Sequence, residues 1–405
     1  MKIEKIKIVI IGGGFGGVYT AKSLLKYFNT DDIEIILINK NNYFLFTPLL
    51  HEVATGALTP DSIVEPIREV FRNSPIVFVE DTVIEIRKDT KEIITTKNKY
   101  HYEYLIISPG AETNYMDIPG AREHSFSLKN LEDAISIRNH ILNKCEKANA
   151  TSDKNMLTFS VIGAGATGVE LASELIEYIE HTICIYYKNS VFKKEDIKVN
   201  LISSSSEIIP QFPIKMRTIA LKEIVRKGVN VICNSSVSII EPGIIHIKDS
   251  PSIKSNTIIW VAGVKPITDF IKGISFNEKR RIDINEYLQT VQDANIFALG
   301  DSSGNLPMLA QVAVQQGQIV ANNIFKLSNG GLLKKFKFKQ KGLLISLGQW
   351  YAIGNFFGIT ISGRIMWWIW RTVYLFNFLS WRKRFEIVVE WTIDLFYPRD
   401  ISVIK

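Results

Sequence analysis

Ile6-Lys-Ile-Val-Ile-Ile11-Gly12-Gly-Gly-Phe-Gly-Gly17-Val18-Tyr-Thr-Ala-Lys-Ser-Leu-Leu25 is the stretch that decides the fold. An apolar run rich in β-branched residues predicts a buried strand, the glycines a turn, and the residues after Gly17 a helix. Each glycine type has a physical use in that order. Gly12 permits the tight turn, Gly14 lets the backbone approach a pyrophosphate, Gly16 lies in the same small-residue run, and Gly17 lets the helix pack on the strand. The helix start then offers unpaired N–H groups and the positive end of its dipole to phosphate. The same order returns at Leu157-Thr-Phe-Ser-Val-Ile162, Gly163-Ala-Gly-Ala-Thr-Gly168 and Val169-Glu-Leu-Ala-Ser-Glu-Leu175, with Gly163, Gly165 and Gly168 in the three roles. A flexible loop could explain one glycine run; two, each between strand and helix, predict two nucleotide folds in an α/β chain.

The bulk properties agree. A chain of 405 residues accommodates two or three domains with cores of their own. A hydrophobic fraction of 46% argues against extensive disorder. Cys145, Cys184 and Cys233 are far apart and have no metal-ligand spacing, so neither a disulfide framework nor a metal site is expected, and a reducing compartment is. The net charge of +7 suits an anionic membrane surface or polyanionic ligands. Met1–Lys7 runs into the first strand without an apolar leader segment, so no secretory signal is expected. With no Cys or His cluster of nucleic-acid-binding type, nucleic acid is not an expected partner.

Asn295-Ile-Phe-Ala-Leu-Gly-Asp301 is a short apolar strand ending in Gly300-Asp301. Alone it reads as a strand closed by a turn aspartate. Downstream of two glycine fingerprints it fits the strand that returns to the first sheet in two-nucleotide flavoproteins, where the aspartate meets the ribityl-phosphate region of the flavin. Four further segments narrow the family: Asn42-Tyr-Phe-Leu-Phe-Thr-Pro-Leu-Leu-His-Glu-Val-Ala-Thr-Gly56, Ser108–Asn114 with Leu128–Ala134, Trp260-Val-Ala-Gly-Val264, and Ala310-Gln-Val-Ala-Val-Gln-Gln316. Together they resemble the type II NADH:quinone oxidoreductases, single-chain dehydrogenases that do not pump protons. The last segment, matching an AQxAxQQ signature, is the most specific.

The resemblance implies FAD in the first nucleotide domain, NADH in the second, and a quinone as acceptor. It places Thr47 and Pro48 beside the isoalloxazine, Ala262 and Gly263 in the loop ending the nicotinamide domain, and Ala310 and Gln311 in the signature. It puts Glu170 near the nicotinamide and quinone, and Gln315 and Gln316 at the quinone entrance, where amides can hydrogen-bond a carbonyl without adding charge. Without the resemblance, Glu170 reads equally as an acid favoured by the helix dipole, and the two glutamines as a polar helix face. After Gly17 no cysteine occurs before Cys145, so a redox cysteine pair near the flavin is not expected. Two rival functions remain: a flavoprotein with another acceptor, such as ferredoxin, and a redox-sensing or scaffold protein like apoptosis-inducing factor.

From Gly363 the composition changes. The longest uncharged run, Thr372–Trp381, is far short of the about 20 residues that span a bilayer. Read as one helix, Arg364, Arg371 and Arg382 fall in a narrow stripe, with Trp367, Trp368, Trp370, Phe376 and Phe378 over the remainder. That pattern predicts a helix lying in a membrane interface. Glu386, Glu390 and Asp394 make an acidic stripe on the next segment. The alternative is a helical hairpin packed on the body or forming a homodimer contact. A peripheral location on the cytoplasmic face of the membrane is expected.

The predicted organisation is an FAD domain of residues 1–115 and 285–341, a connecting helix and linker over 116–155, an NAD(P)H domain of residues 156–277, and a membrane-associating helical tail of residues 342–405. One departure stands out. The acid that often closes the second strand of a nucleotide fold, binding ribose hydroxyls and repelling a 2′-phosphate, is replaced by Asn39 in the first domain and Ser203 in the second. Relaxed selectivity between NADH and NADPH is the expectation; the alternative is an NADH enzyme that binds its nucleotide more weakly.

Overall fold

A computed structural model describes residues 5–187 and 190–403. The chain divides into two compact units, residues 1–45, 64–112 and 265–340, and residues 46–63, 113–264 and 341–405.

The first unit is organised by a five-stranded sheet in the order Ile296–Ala298, Tyr104–Ile107, Ile6–Ile11, Ile33–Asn39, Ile76–Glu80, every pair parallel. Ile8, Val9 and Ile10 are wholly buried, as expected for a strand covered on both faces. Helix Phe15–Leu24 follows the first strand and packs against helix Ala310–Ser328. The approach is close enough that a Cβ on Gly317 would lie 2.6 Å from the Thr20 hydroxyl. Ile271, Ile274 and Ile282 bury themselves with Ile86, Ile93 and Ile107 in this unit's core. Residues 265–284, expected between or within the nicotinamide region, therefore belong here.

The second unit repeats the plan, with a parallel sheet ordered Phe126–Ser127, Thr257–Trp260, Thr158–Ile162, Lys198–Ile202, Asn230–Ile232. Helix Ala166–Tyr178 follows its first glycine turn. Helix Leu131–Thr151 starts at a reciprocal Asn130–Asp133 capping box and runs through part of the stretch read as linker. The C-terminal segment adds an antiparallel sheet, Leu343–Ser346, Ala352–Phe356 and Ile359–Gly363, and then two helices, Arg364–Phe376 and Trp381–Ile393. Phe46–Ile63 joins this unit because it packs on that segment: Phe46 stacks on Phe378 with ring centroids 4.3 Å apart.

The tail corrects the single-helix reading. The helix breaks at residues 377–380, and the Ser380 hydroxyl accepts the Lys383 N–H to start the second. Trp367, Trp370 and Phe378 are buried, so three of the five aromatics of the supposed outward face are core. Arg371 is buried too, its guanidinium 3.8 Å from the Trp367 ring and 4.7 Å from that of Trp391. It is no membrane-flanking cation. Much of the acidic stripe also faces protein: Glu390 accepts from Thr59 and Ser62 and Asp394 pairs with Arg399, while Glu386 pairs with Arg382 and Lys383 of its own helix.

Candidate active site

The two glycine turns have the same geometry, which follows from the same local demands. Gly12 and Gly163 have φ of +103° and +111°, the left-handed region that a side chain disfavours. Their N–H groups donate to Ile38 and Ile202, both at 2.8 Å, which ties each turn to the neighbouring strand. A Cβ on Gly17 or Gly168 would overlap the carbonyl oxygen of Gly12 or Gly163. Gly14 and Gly165 differ: a Cβ there would meet nothing within 4 Å. Each is the N-cap of its helix and makes no side-chain cap bond. Open space thus lies beside unpaired helix N–H groups in both units, and these residues fit a pyrophosphate at each turn. Gly16 serves packing, since a Cβ would strike Ser108 and Leu299.

The residues in the two acid slots are occupied. Asn39 accepts the Gly13 N–H at 2.9 Å and donates to the Asn41 carbonyl at 2.8 Å, so it braces the first glycine turn. Ser203 is buried and its hydroxyl accepts the Ser205 N–H at 3.2 Å, while Ser204, Ser205 and Ser206 are exposed. Glu207 pairs with Arg217. Ala262 lies against Gly163, and the Gly263 carbonyl accepts the Asn114 N–H at 3.0 Å.

In the first unit, Gly300-Asp301 sits in a short 3-10 turn whose Gly300 N–H donates to the Gln316 side chain at 2.7 Å. Gln316 is buried, and its amide oxygen therefore holds the loop carrying Asp301. The Gln315 amide is engaged on both sides by the Lys339 backbone, at 2.9 and 3.1 Å. Ala310 and Gln311 open the helix bearing both glutamines. The AQxAxQQ pattern is thus visible as internal bracing.

Glu170 lies in the second unit, on the helix that opens at Gly165. It is 7% exposed, and one carboxyl oxygen accepts the Ser346 N–H at 3.1 Å. Burial, with the nearby Glu52 and Glu174, pushes its carboxyl up to about 8. At neutral pH Glu170 is therefore an acid with a proton to give. Thr47 and Pro48 form a turn leading into helix Leu50–Ala54, and the Pro48 carbonyl binds His51.

Around Glu170 is a buried ionic group that sequence reasoning missed. Glu174 follows it by one turn and forms an ion pair with Arg399 at 2.7 Å. Burial alone would raise Glu174, but the charge and hydrogen bond of Arg399, together with His51 and Lys227, outweigh it and hold the carboxyl below its ordinary range. Arg399 also bonds Thr55 and Asp394, which anchors the segment around it in the core. Glu177 pairs with Lys227 and accepts the Gln349 N–H. Glu52 accepts Trp391 Nε1–H at 2.7 Å. Donor atoms of His51, Glu52 and Glu174 lie within 4.8 Å of one another. With Arg399 on Glu174, the indole on Glu52 and Arg371 close by, the group is arranged for fixed charges and protons. The spacing Glu170, Glu174, Glu177 in an apolar helix was the available signal; nothing in the sequence pointed to Glu52 or Arg399.

Comparison with known proteins gives consistent findings. A family model described as pyridine nucleotide-disulphide oxidoreductase matches residues 6–317, and one for the NDH2 C-terminal domain matches residues 340–400. A type II NADH:quinone oxidoreductase of Staphylococcus aureus is 29% identical over 387 residues, covering 90% of this chain and 93% of the relative. Among solved structures, NDH2 from Plasmodium falciparum in complex with NADH superimposes with a TM-score of 0.90 at 22% identity, over 98% of this chain and 100% of that one. The sulfide:quinone oxidoreductase of Aquifex aeolicus gives 0.78 at 19% identity, over 97% and 96%.

Proposed function

We infer the reaction from one premise: the chain belongs to the pyridine nucleotide-disulphide oxidoreductase family, and its C-terminal segment to the NDH2 C-terminal domain. It is a flavoenzyme that oxidises NADH and reduces a quinone without pumping protons. The chemistry between nicotinamide and quinone, hydride acceptance and two-electron release, would be supplied by FAD held at the Gly12–Gly17 turn. The carrying observation is that one helix opens on the Gly165 phosphate cradle and, five residues on, bears the buried Glu170, whose carboxyl that burial holds above its ordinary range.

The chain's own groups supply position and protons. The turn Gly12–Gly17, with Asn39 bracing it, holds the FAD pyrophosphate, and Gly163–Gly168 with Ala262 and Gly263 holds that of the nicotinamide nucleotide. Asp301 is held for the flavin by Gln316; Thr47 and Pro48 contribute to the flavin's surroundings. Glu170 donates a proton as the quinone is reduced. The three cysteines are free and none lies between Gly17 and Ala134, which disfavours a thiol relay.

The missing acid at Ser203 supports use of NADPH beside NADH, because no carboxylate repels a 2′-phosphate there and the nearby Glu207 is neutralised by Arg217. Comparing kcat/KM for both nucleotides decides this: Ser203→Glu is expected to cost NADPH about 10-fold relative to NADH, and a strong NADH preference already in the wild type contradicts it.

The enzyme docks on the membrane through the outer faces of its tail helices. Ile365, Phe376, Trp381, Phe385 and Phe396 are each at least 60% exposed there. No helix among the described residues is long and apolar enough to cross a membrane. We place the protein on the cytoplasmic face, where NADH is available.

The test is stoichiometric. The purified yellow protein should oxidise NADH mole for mole with quinol formed from a soluble quinone. A flavin-loaded protein inert with every quinone would point to a sensing or scaffold role.

A further inference from the structure

We propose that Ser346 is a positioning residue for quinone reduction: its backbone N–H, bonded to one carboxyl oxygen of Glu170, leaves the proton on the other oxygen and steadies the anion that donation creates. This deepens, and rests on, the reading of Glu170 as the proton donor. NADH, one proton and a quinone give NAD⁺ and a quinol: hydride carries two electrons and one hydrogen, and the second hydrogen enters as the proton that Glu170 gives.

Strand geometry makes that N–H available. Leu343–Ser346 is an edge strand of its three-stranded sheet. The Leu347 N–H donates to the Tyr351 carbonyl at 2.9 Å, and antiparallel ladder bonds alternate, so the Ser346 N–H points off the free edge. Ser346 is 1% exposed, and a buried backbone donor needs a partner. Glu170 is that partner, with 3.1 Å between nitrogen and oxygen. The loop that follows is fastened to the same helix two turns on, where the Gln349 N–H donates to Glu177 beside Lys227. Between these two bonds stands Gly348, with φ +86°, where a Cβ would overlap the Glu177 carboxyl. The Gln349 side chain bonds the Asp394 carbonyl at 3.1 Å, which ties the loop to the end of the last helix.

A protonated carboxyl accepts an N–H through its carbonyl oxygen, so the bond fixes which oxygen carries the proton. The same bond is stronger to a carboxylate, so it eases the proton's departure. Burial, with Glu52 of helix Leu50–Ala54 and Glu174 of its own helix, favours the acid, and the Ser346 N–H favours the anion. Glu174 is paired with Arg399, and Glu52 accepts the Trp391 indole N–H. Burial keeps His51 neutral, its imidazole pushed down to about 4, and raises the phenol of Tyr374 on helix Arg364–Phe376. Arg371 of that helix lies against the Trp367 and Trp391 rings.

The experiment substitutes Ser346 in the holoenzyme and measures turnover with a soluble quinone and with ferricyanide, which takes electrons without protons. Ser346→Ala keeps the N–H. Ser346→Pro removes it, at an edge position where no ladder bond is lost. For Ser346→Pro the ratio of quinone to ferricyanide turnover should fall roughly 10-fold. The alkaline limb of its quinone profile should move up by about one pH unit, the worth of one hydrogen bond to a charged group. Ser346→Ala should keep the wild-type limb. In wild type, the infrared band of protonated Glu170, identified by its loss in Glu170→Gln, should lie at the lowered frequency of a carbonyl that accepts a hydrogen bond. That band carries the test if the proline variant folds poorly. An unmoved limb in Ser346→Pro, an equal shift in Ser346→Ala, or a band at the free-carbonyl frequency overturns the proposal. A turnover ratio that Glu170→Gln leaves unchanged overturns instead the reading of Glu170 beneath it.

Discussion

Arg399 shows what a single residue near the chain's end does for the site. Its guanidinium is buried against Glu174, Asp394 and Thr55. Removing one partner of a buried pair leaves the other uncompensated, so Arg399→Gln should lower stability by about 3–5 kcal/mol in denaturant titration, with Arg399→Lys losing less. Glu170 predicts a pH dependence of opposite character. The folded form keeps a proton that the unfolded chain releases above about 4.5, so this group costs stability progressively as pH rises from there to about 8. Glu170→Gln should therefore gain on wild type in Tm across that window; a constant difference would contradict a raised carboxyl. At this scale Glu170 was legible because it stands two residues past Gly168. Its neighbours were not, since burial and pairing depend on segments more than a hundred residues away in sequence, as with Glu52 and Trp391. The glutamines were legible as a pattern, yet their amides bind backbone at Gly300 and Lys339, which no local signal announces.

Among the elements, the glycine turns were the easiest to read, because strand, turn and helix lie consecutively and steric rules act within a few residues. The tail was harder. Helical periodicity sorts residues around an axis but cannot say which side meets protein, and Arg371 with Trp367 and Trp370 went inward. That matters for testing membrane attachment. Deleting residues 363–405 would also strip Arg399 from Glu174, so loss of the tail confounds docking with unfolding. Substituting only outward residues avoids this. Phe376→Ser, Phe385→Ser and Phe396→Ser together should weaken binding to lipid vesicles at least 10-fold, given about 25 cal/mol per Å² of apolar surface removed. NADH:ferricyanide activity should be unchanged. Undiminished vesicle binding would assign those faces to another use, such as a contact with a second copy.

Over the whole molecule, two copies of one nucleotide fold are distinguished by what is attached to them. Between Asp301 and Glu386 the chain carries eleven basic residues and no acidic one, against a net charge of +7 overall. The positive charge is thus concentrated where the sequence passes into the C-terminal segment, and if that segment docks on anionic lipid as proposed, binding should weaken with salt. The two-fold plan was readable from the glycines, whereas the division into units was not, because Phe46–Ile63 and residues 265–284 are assigned by long-range packing. The central claim is that this fold couples NADH oxidation to proton-dependent quinone reduction at Glu170. It is tested most directly by the ratio of quinone to ferricyanide turnover in wild type and Glu170→Gln. The account predicts that wild type reduces both and that the variant keeps ferricyanide reduction while its quinone turnover falls about 100-fold. An unchanged ratio would contradict it.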